Sequence, residues 1–290
     1  MAIKSINKIV DRGVNLILIS FSVVALWIFF QVFFFAPFRI PSDSMEPELI
    51  IGDNVLVYKM SIGPRLFNIF ASMRNEQTDI YRIPGFKKID RNDILVFNFP
   101  HPNSWDKIEM HILKYYIKRC VGLPGDTLSI RNGFYHIKGN HLPLGNMDSQ
   151  KKISITNKFQ DGVFHSFPYD SIIGWNIKDF GPLYIPGKGD SITLDRTNYR
   201  LYKKLIEWEQ QGGLQYKDST AFLKGSPING YRFRKNYYFM AGDNGMNSQD
   251  SRYWGLLPEE YIVGKAWIIW KSIDPYTEKF RWDRLFKVIH

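Results

Sequence analysis

Cysteine is almost absent from this sequence, since Cys120 is the only one among 290 residues. A single thiol excludes an internal disulfide and a metal site built from several cysteines, although it leaves an oxidising compartment open. The neighbouring Arg119 could lower the pKa of this thiol and make it reactive. A lone cysteine on an apolar strand is more often a packing residue, and we expect Cys120 to be one.

The sequence also lacks the signatures of several common functions. None of its six histidines stands in a ligand spacing such as H-E-x-x-H, and no Walker A loop or G-x-G-x-x-G fingerprint follows a strand. Zinc-finger spacing, an RRM signature and a basic region followed by heptads are missing as well. The formal net charge of +10 therefore favours the surface of an acidic membrane over nucleic acid as the anionic partner. We expect no metal, no cofactor and no nucleic-acid partner.

Long apolar runs are missing too, with one exception near the start of the chain. This run extends from Val14 to Phe35 and is interrupted mainly by Asn15 and Gln31. At about 1.5 Å per residue, its length of about 22 residues is enough to cross a hydrocarbon core of roughly 30 Å. A cleavable signal peptide would have a shorter run, with small residues at a cleavage site close behind it. We therefore interpret residues 14–36 as an uncleaved transmembrane helix, with a buried soluble helix as the alternative.

The charges before this run predict the orientation of the chain. Three basic residues, Lys4, Lys8 and Arg12, stand against one acidic residue, Asp11, which gives a net side-chain charge of +2. By the positive-inside rule, residues 1–13 stay in the cytoplasm and the long C-terminal part crosses the membrane. No later run approaches this apolar length, and the sequence therefore predicts a single-pass protein.

After the apolar run the sequence changes to short β-type segments separated by Gly, Pro, Asn and Asp, a pattern typical of a β-rich domain. Residues 139–235 are more polar and irregular, apart from a strand-like piece at 190–194 and a helix predicted around 200–210. We interpret them as a subdomain inserted into a core that consists of residues 37–138 and 236–290. The predicted fold class is mainly β, with an N-terminal transmembrane helix. The clearest strands are predicted at residues 54–58, 93–97, 115–121, 127–130, 237–240 and 266–270.

Two serines follow the apolar run in a segment that two prolines stiffen. Ser42 and Ser44 lie between Pro41 and Pro47, with apolar residues on both sides. Taken alone, this pattern indicates no more than a turn. It becomes a candidate for catalysis only if a base for one of the hydroxyls occurs elsewhere in the chain.

Lys118 is a candidate for that base, because it stands in the middle of the apolar strand predicted at 115–121. Two ordinary explanations exist: one face of the strand is exposed, or the side-chain stem reaches out to water. The functional explanation is that burial lowers the pKa of an unpaired lysine, so that its amine is neutral at physiological pH. A neutral amine can take the proton of a serine hydroxyl, as histidine does in other proteases. Periodicity alone leaves all three explanations open.

Four segments of the sequence carry a resemblance that separates these explanations. Residues 40–49 resemble the box P-S-x-S-M-x-P-T-L, and Gly52-Asp53 follows at the corresponding spacing. Residues 91–97 resemble R-G-D-I-V-V-F, residues 116–126 resemble Y-I-K-R-V-I-G-L-P-G-D, and residues 242–255 resemble G-D-N-R-D-N-S-x-D-S-R-x-W-G. These are the boxes of type I signal peptidases, the bacterial leader peptidases with a Ser-Lys catalytic pair. All four occur in the order of that family, directly after a membrane span.

The resemblance implies a role for each matching residue. Ser44 corresponds to the nucleophile and Lys118 to the general base. Ser42 corresponds to the serine whose hydroxyl joins the backbone N–H of the nucleophile in an oxyanion hole. Ser248 corresponds to the serine that hydrogen-bonds and positions the lysine. Asp250 and Arg252 correspond to a supporting ion pair. The residues that correspond to the lining of the substrate groove are Ile40, Pro41, Met45, Leu49, Tyr116 and Ile117.

The resemblance also implies a function and a location. A protein of this family is a membrane-anchored serine endopeptidase that cleaves signal peptides from exported preproteins, and shallow pockets would suit their A-x-A-like ends. It implies the bacterial inner (cytoplasmic) membrane, with a cytoplasmic N-terminus and the catalytic domain on the outer, periplasmic side. The partners implied are signal peptides and the phospholipid bilayer, whereas the oligomeric state stays open.

Four positions depart from the boxes. Gly245 and Met246 replace an Arg and an Asp, Glu48 replaces a Thr, and Asn92 replaces a Gly. None of these changes removes a catalytic atom. With Gly245 and Met246, however, a secondary ion pair that is usual near this loop cannot form with Asp243 in the same way.

Two other interpretations stay open at this point. A self-cleaving Ser-Lys repressor shares the chemistry, but it would need a soluble chain with a DNA-binding module. A non-catalytic membrane-anchored binding protein, or a degenerate member of the family, is disfavoured because Ser44, Lys118, Ser42 and Ser248 occur together. Cleavage of a preprotein at its signal-peptide boundary would distinguish these possibilities.

Overall fold

The computed structural model describes the chain at residues 2–68, 70–71, 74 and 80–290. Its helices, in chain order, are α1 (Ala2–Phe33), α2 (Met147–Ile155), α3 (Arg196–Gln210) and α4 (Ser251–Trp254). Its strands, in chain order, are β1 (Phe35–Arg39), β2 (Asp53–Tyr58), β3 (Arg65–Leu66), β4 (Tyr81–Arg82), β5 (Ile94–Asn98), β6 (Tyr115–Gly122), β7 (Thr127–Arg131), β8 (Phe134–Ile137), β9 (Phe180–Tyr184), β10 (Ser191–Thr193), β11 (Leu214–Lys217), β12 (Thr220–Leu223), β13 (Ser226–Ile228), β14 (Gly230–Arg232), β15 (Tyr237–Ala241), β16 (Leu257–Pro258), β17 (Ile262–Ser272) and β18 (Lys287–Val288).

Helix α1 contains most of the predicted transmembrane segment, namely residues 14–33. Its part Asp11–Phe33 is long and apolar enough to cross a membrane, and the most apolar stretch is not buried against the rest of the protein. The helix ends at Phe33, three residues before the predicted boundary at 36. It ends there because residues 35–39 pair with β2 as a strand, and Pro37 cannot continue a helix.

Lys59 fixes the C-terminal end of α1 to the β-rich part of the chain. Its Nζ donates hydrogen bonds to the carbonyl oxygens of Gln31, at 2.6 Å, and Val32, at 3.3 Å. These carbonyls belong to the last turn of the helix, where no backbone N–H within the helix can satisfy them. Burial, and to a smaller extent the charge of Arg65, lowers the pKa of Lys59 from 10.5 to about 8.

Eight strands form one curled antiparallel sheet that carries both sides of the candidate site. Seven of them follow the order β1-β2-β17-β5-β6-β15-β16, and β18 pairs with β17. Strands β1 and β6 are not neighbours in this order, yet the curl brings them together. Phe38 of β1 meets Tyr115 of β6 edge to face, with ring centroids 4.9 Å apart. The six strands predicted most clearly overlap β2, β5, β6, β7, β15 and β17, and the mainly β fold class is confirmed.

Two hydrophobic clusters support this sheet. In β2, buried Val55 and Val57 alternate with partly exposed residues, as expected of a strand with one face in the core. They belong to the smaller cluster, which also receives Ile40, Met45 and Leu49 from the segment between β1 and β2. The larger cluster lies around β5, β6 and β15 and includes, among others, Leu95, Phe97, Cys120, Phe239, Leu257 and Ile262.

Residues 139–235 contain α2, α3 and the short sheets β10-β14 and β11-β12-β13. Every strand of the large sheet lies outside this range. Strand β9, by contrast, pairs with β7 of the preceding segment. The helix predicted at 200–210 lies within α3, which begins earlier because the side chain of Asp195 caps it by accepting a hydrogen bond from the N–H of Asn198 at 2.7 Å. The domain boundaries themselves stay a prediction.

Candidate active site

Ser44 lies in the segment between β1 and β2. Buried side chains of this segment hold it against the hydrophobic core. The side chains of Ile40, Met45 and Leu49 are at most 2% exposed and anchor this segment to the smaller cluster. The carboxylate of Asp53 accepts the N–H of Ile50 at 3.0 Å and closes the turn before β2. Ser44 is therefore carried by a well-anchored loop.

Lys118 lies on β6 with its amine within hydrogen-bond distance of Ser44. Its Nζ is 2.6 Å from Ser44 Oγ and 2.9 Å from the carbonyl oxygen of Ile117. Only 4% of Lys118 is exposed. This burial lowers the pKa of Lys118 from 10.5 to about 8, although the negative charges of Asp250 and Asp243 act to raise it. A lysine with such a pKa has an appreciable neutral fraction near neutral pH and can serve as a base.

The loop after β15 brings the predicted supporting residues under this pair. Arg252 donates from Nε to Asp250 Oδ1 at 2.8 Å and from Nη2 to Asp250 Oδ2 at 2.7 Å, and both side chains are fully buried. Burial alone would raise the pKa of Asp250, but the charge and hydrogen bonds of Arg252, together with the N–H of Gly242, outweigh it. The pKa of Asp250 is lowered as a result, and the pair is an ionised support beneath the site.

The structure gives Ser248 a different partner from the one that the resemblance implies. Its hydroxyl donates to Asp250 Oδ2 at 2.7 Å. Within the described residues, no hydrogen bond joins Ser248 to Lys118, whose amine instead contacts Ser44 and Ile117. A carboxylate is a strong acceptor without a proton of its own, and it therefore takes the single proton of the hydroxyl.

Gly242 lies where this loop packs closely against the backbone of Ser44. A Cβ atom there would lie 2.1 Å from Ser248 Oγ and 2.6 Å from the carbonyl oxygen of Ser44. Both distances are well below any normal contact, and only glycine fits. The neighbouring Asn244 donates its backbone N–H to the same Ser44 carbonyl at 3.1 Å, which ties the two loops together.

Sequence reasoning missed the ion pair between Arg119 and Asp243. Arg119 Nε and Nη2 donate to the two carboxylate oxygens of Asp243, both at 2.7 Å, in a buried two-point contact. Arg119 was considered only as a neighbour of Cys120, whereas its side chain turns toward the catalytic loop. The position of both residues inside the matching boxes was the available signal. This pair supplies Asp243 with a partner in spite of the changes at Gly245 and Met246.

The structure places the hydroxyl of Ser42 beside that of Ser44, while a role of Ser42 in an oxyanion hole stays a prediction. Ser42 Oγ lies 3.4 Å from Ser44 Oγ, and Ser42 is exposed to solvent. Among the described residues, no acceptor binds the backbone N–H of Ser44, which leaves this donor available. Asp43, between the two serines, accepts from the side-chain amide of Asn247 at 2.9 and 3.0 Å, so the loop is fixed on both sides.

The residues expected to line the groove divide into two groups. Pro41 is exposed, and Tyr116 and Ile117 are half-buried next to the catalytic pair. Ile40, Met45 and Leu49 are buried in the core. Their side chains therefore form the support under the groove, because a fully buried group offers no surface to a ligand unless the loop moves. Contact of any of the six residues with a substrate stays a prediction.

Two strand edges run beside the catalytic pair without partners. Strand β1 pairs only with β2, and β15 pairs with β6 only from Arg119 onward, which leaves the edge of residues 115–118 open within the described part of the chain. Phe38 faces Tyr115, and further along Ser44 faces Lys118, so that both edges run toward the site in the same direction. Unpaired edges of this kind can accept an extended peptide as an additional strand.

Cys120 lies in the core of the protein and away from solvent. Cys120 is completely buried, and this burial raises the pKa of its thiol. In the described ranges, no three His, Cys, Asp or Glu side chains are grouped closely enough to hold a metal ion.

Comparison with known proteins identifies the family of this chain. The family described as "Signal peptidase, peptidase S26" matches residues 13–271. The chain belongs to this family of peptidases, and it is a serine endopeptidase.

Among individual relatives, the chain is similar to the signal peptidase I of Buchnera aphidicola subsp. Acyrthosiphon pisum, with 34% identity over 268 residues that cover 89% of this chain and 75% of the relative. It is also similar to the signal peptidase I of Pseudomonas aeruginosa, with 28% identity over 284 residues that cover 93% and 76% of the two chains. A crystal structure of a signal peptidase I from Enterococcus faecalis V583 matches with 20% identity and a TM-score of 0.30, covering 62% of this chain and 97% of that one.

Proposed function

We propose that this protein is a membrane-anchored signal peptidase that cleaves signal peptides from exported preproteins, with Ser44 as nucleophile and neutral Lys118 as general base. The observation that carries the proposal is the distance of 2.6 Å between Lys118 Nζ and Ser44 Oγ, at a lysine that is only 4% exposed. Family membership supports the class of substrate.

The reaction begins when Lys118 takes the proton of Ser44 while Oγ attacks the scissile carbonyl carbon. The carbonyl oxygen becomes an oxyanion, and the free N–H of Ser44 and the hydroxyl of Ser42 are the donors that stabilise it. The lysine then gives its proton to the leaving amine as the C–N bond breaks. In the second half, Lys118 takes a proton from a water molecule that attacks the acyl-enzyme ester, and it returns that proton to Ser44 as the ester breaks.

The open edges of β1 and residues 115–118 support a mode of substrate binding. We infer that the end of the signal peptide enters as an extended strand between them and pairs through its main chain. Because Phe38 and Tyr115 lie at the membrane-proximal end and Ser44 and Lys118 at the other, the apolar part of the signal peptide would come from the side of α1. In this mode of binding, the half-buried side chains of Ile117 and Tyr116 would lie beside the small side chains next to the cut.

The membrane anchor is assigned to Asp11–Phe33. Aromatic residues gather where this helix meets the β-rich part: Phe35 stacks on Tyr58 and on Trp267, with ring centroids 5.2 and 5.8 Å apart, and Trp267 is 47% exposed. Aromatic rings of this kind favour the boundary between hydrocarbon and water. We therefore place this region at the outer surface of the bacterial inner membrane, with the N-terminus in the cytoplasm and the bilayer itself as a partner.

The test uses the full chain in phospholipid vesicles with a synthetic preprotein. Wild-type protein should cut at the signal-peptide boundary, and Ser44→Ala should bind the same preprotein without cutting it. A wild-type chain that binds but does not cut would favour the non-catalytic binding protein. Cleavage of its own chain in preference to the preprotein would favour the chemistry of a self-cleaving repressor.

A further inference from the structure

Helix α2 belongs to the segment for which the sequence offered no role, yet it contacts the catalytic loop directly. The hydroxyl of Ser149 accepts the backbone N–H of Gly245 at 2.6 Å, and Ser149 is buried. On the other side of the same loop, the N–H of Asn244 donates to the carbonyl oxygen of Ser44 at 3.1 Å. Two successive backbone amides thus connect the inserted helix on one side with the nucleophile on the other.

The loop can approach α2 so closely because position 245 is a glycine. A Cβ atom there would lie 2.9 Å from Ser149 Oγ and 2.8 Å from the Cδ1 of Ile153. The carbonyl oxygen of Gly245 in turn accepts from Nη2 of Arg252 at 2.9 Å. Arg252 is the partner of Asp250, so the contact with α2 continues into the ion pair beneath the site.

The beginning of the same segment is joined to the other buried ion pair through Asn92. Its Oδ1 accepts the N–H of Gly145 at 2.8 Å, its Nδ2 donates to the carbonyl of Pro143 at 3.0 Å, and its own carbonyl accepts from Nη1 of Arg119 at 2.9 Å. Asn92 adopts a positive φ of 71°, which asparagine tolerates better than most residues. Asn92 and Gly245 are two of the four positions that depart from the family boxes, and both contact residues 143–150.

Hydrogen bonds hold helix α2 in a fixed position, so that its contact with Gly245 can restrain the loop. The side chain of Asn146 caps it by accepting the N–H of Ser149 at 2.9 Å. Gln150 fixes it to β8 by accepting the N–H of Tyr135 at 2.9 Å, and it donates to the carbonyl of Leu144 at 2.6 Å. Gln150 is 3% exposed, so these hydrogen bonds are shielded from water.

We infer that residues 143–153 are a positioning element for catalysis, in which Ser149 holds the loop of Asp250 and Arg252 against the Ser44–Lys118 pair through Gly245. The inference rests on the proposed function. It assigns Ser149 an indirect role, since its side chain acts on the loop and not on the substrate.

The experiment compares Ser149→Ala and Gly245→Ala, their double variant, and Ser154→Ala as the matched control. Ser154 lies on the same helix and holds Lys178 through its backbone carbonyl, at 2.8 Å, which alanine retains. Each full-length variant is assayed in vesicles for kcat and KM on a synthetic preprotein from pH 6 to about pH 10, a range that spans the ordinary lysine pKa. Thermal unfolding is measured in parallel.

We expect each single variant to lower kcat by about three- to tenfold with little change in KM, as the loss of one hydrogen bond suggests. The double variant should be close to the worse single one, because both remove the same contact. A loosened loop admits water around Lys118, so the rise of kcat with pH should move to higher pH. Ser154→Ala should match the wild type.

If wild-type cleavage depends on Ser44, each of three results would overturn this inference and leave the proposed function standing. One is an unchanged kcat in both single variants. Another is a lower Tm with unchanged kcat and pH profile, which would make the contact purely structural. The third is a double variant whose losses multiply. If wild-type cleavage does not depend on Ser44, the proposed mechanism fails, and the inference fails with it.

Discussion

Arg119, which follows Lys118 on strand β6, donates hydrogen bonds to both carboxylate oxygens of Asp243. The two hydrogen bonds are each 2.7 Å long, and the side chains are 10% and 1% exposed. The pair joins the strand that carries Lys118 to the loop of Ser248 and Asp250. It therefore fixes the relative position of two parts of the site that are far apart in the sequence.

Removal of one partner of this pair should be costly. Arg119→Met leaves the carboxylate of Asp243 buried without its partner, and we expect the free energy of unfolding to fall by about 3–5 kcal/mol. The matched control is Lys203→Met, which breaks the Lys203–Glu207 contact at 3.9 Å on the surface of α3. An exposed helical pair is worth about 0.3–0.5 kcal/mol. Urea unfolding of both variants tests the difference, and equal small losses would contradict the role given to Arg119.

Ser44→Ala and Lys118→Ala should each abolish cleavage while the protein stays folded. We expect kcat to fall by at least about a thousandfold in each, because nucleophile and base act as one unit. For the same reason the double variant should be barely slower than either single one. Preprotein processing, together with circular dichroism of each variant, checks this. Ordinary activity in folded Ser44→Ala protein would refute the assignment.

The rate should rise with pH through the folded-state pKa of Lys118, which is about 8. Only the neutral amine can accept the serine proton, and burial favours the neutral form. Activity that falls between pH 6 and pH 9 would show that Lys118 does not act as a neutral base.

The same shift in pKa has a consequence for stability. Because the folded pKa lies below the ordinary value of 10.5, the buried lysine destabilises the fold, fully below pH 8 and less and less as the pH rises toward 10.5. At neutral pH the free energy of unfolding is lowered by at most about 3 kcal/mol, since each unit by which the pKa is lowered corresponds to about 1.36 kcal/mol. Lys118→Met should therefore be inactive but more stable than the wild type at pH 7 and equally stable near pH 11. Denaturant unfolding at both pH values tests this, and a variant that is less stable at pH 7 would contradict it.

Ser248→Ala should slow the reaction and leave substrate binding largely intact. The variant removes a hydrogen bond to Asp250, whose charge acts on the amine of Lys118. We expect kcat to fall about tenfold, as for one lost charge-assisted hydrogen bond, with KM within a factor of about two. Ser251→Ala is unsuitable as a control, because that hydroxyl accepts the N–H of Met240 at 2.9 Å. The control is therefore Ser154→Ala. If Ser248→Ala raised KM and left kcat unchanged, Ser248 would belong to substrate binding instead.

Cys120→Ser should keep activity within a few-fold of the wild type, and thiol-blocking reagents should have little effect. The thiol is fully buried and its pKa is raised by that burial, so it is neither accessible nor ionised. Treatment of the folded protein with a maleimide, followed by the processing assay, is the measurement. Complete inactivation of folded Cys120→Ser protein would reopen a cysteine mechanism.

The sequence was sufficient to predict the strands around the site and the meeting of Ser44 with Lys118. Short β-type runs between turn residues predicted strands that overlap β2 and β6, and the matching boxes implied the roles. The partner of Ser248 could not be predicted, because the sequence does not show which polar group a hydroxyl contacts, and the structure shows that it is the carboxylate of Asp250. The contact between α2 and this loop could not be predicted from the sequence either. It joins Ser149 and Gly245, which are 96 positions apart, through one hydroxyl and one backbone amide.

The open edges of β1 and residues 115–118 have a consequence for the breadth of the substrate repertoire. Main-chain N–H and C=O groups are the same in every peptide, so recognition through them tolerates unrelated sequences. Under the proposed mode of binding, discrimination depends on the few side chains that must fit beside the cut, and a single enzyme can process many unrelated preproteins. The same openness exposes the edge to incorrect partners. In the proposed arrangement at the membrane surface, the position of the site limits which extended chains can reach it.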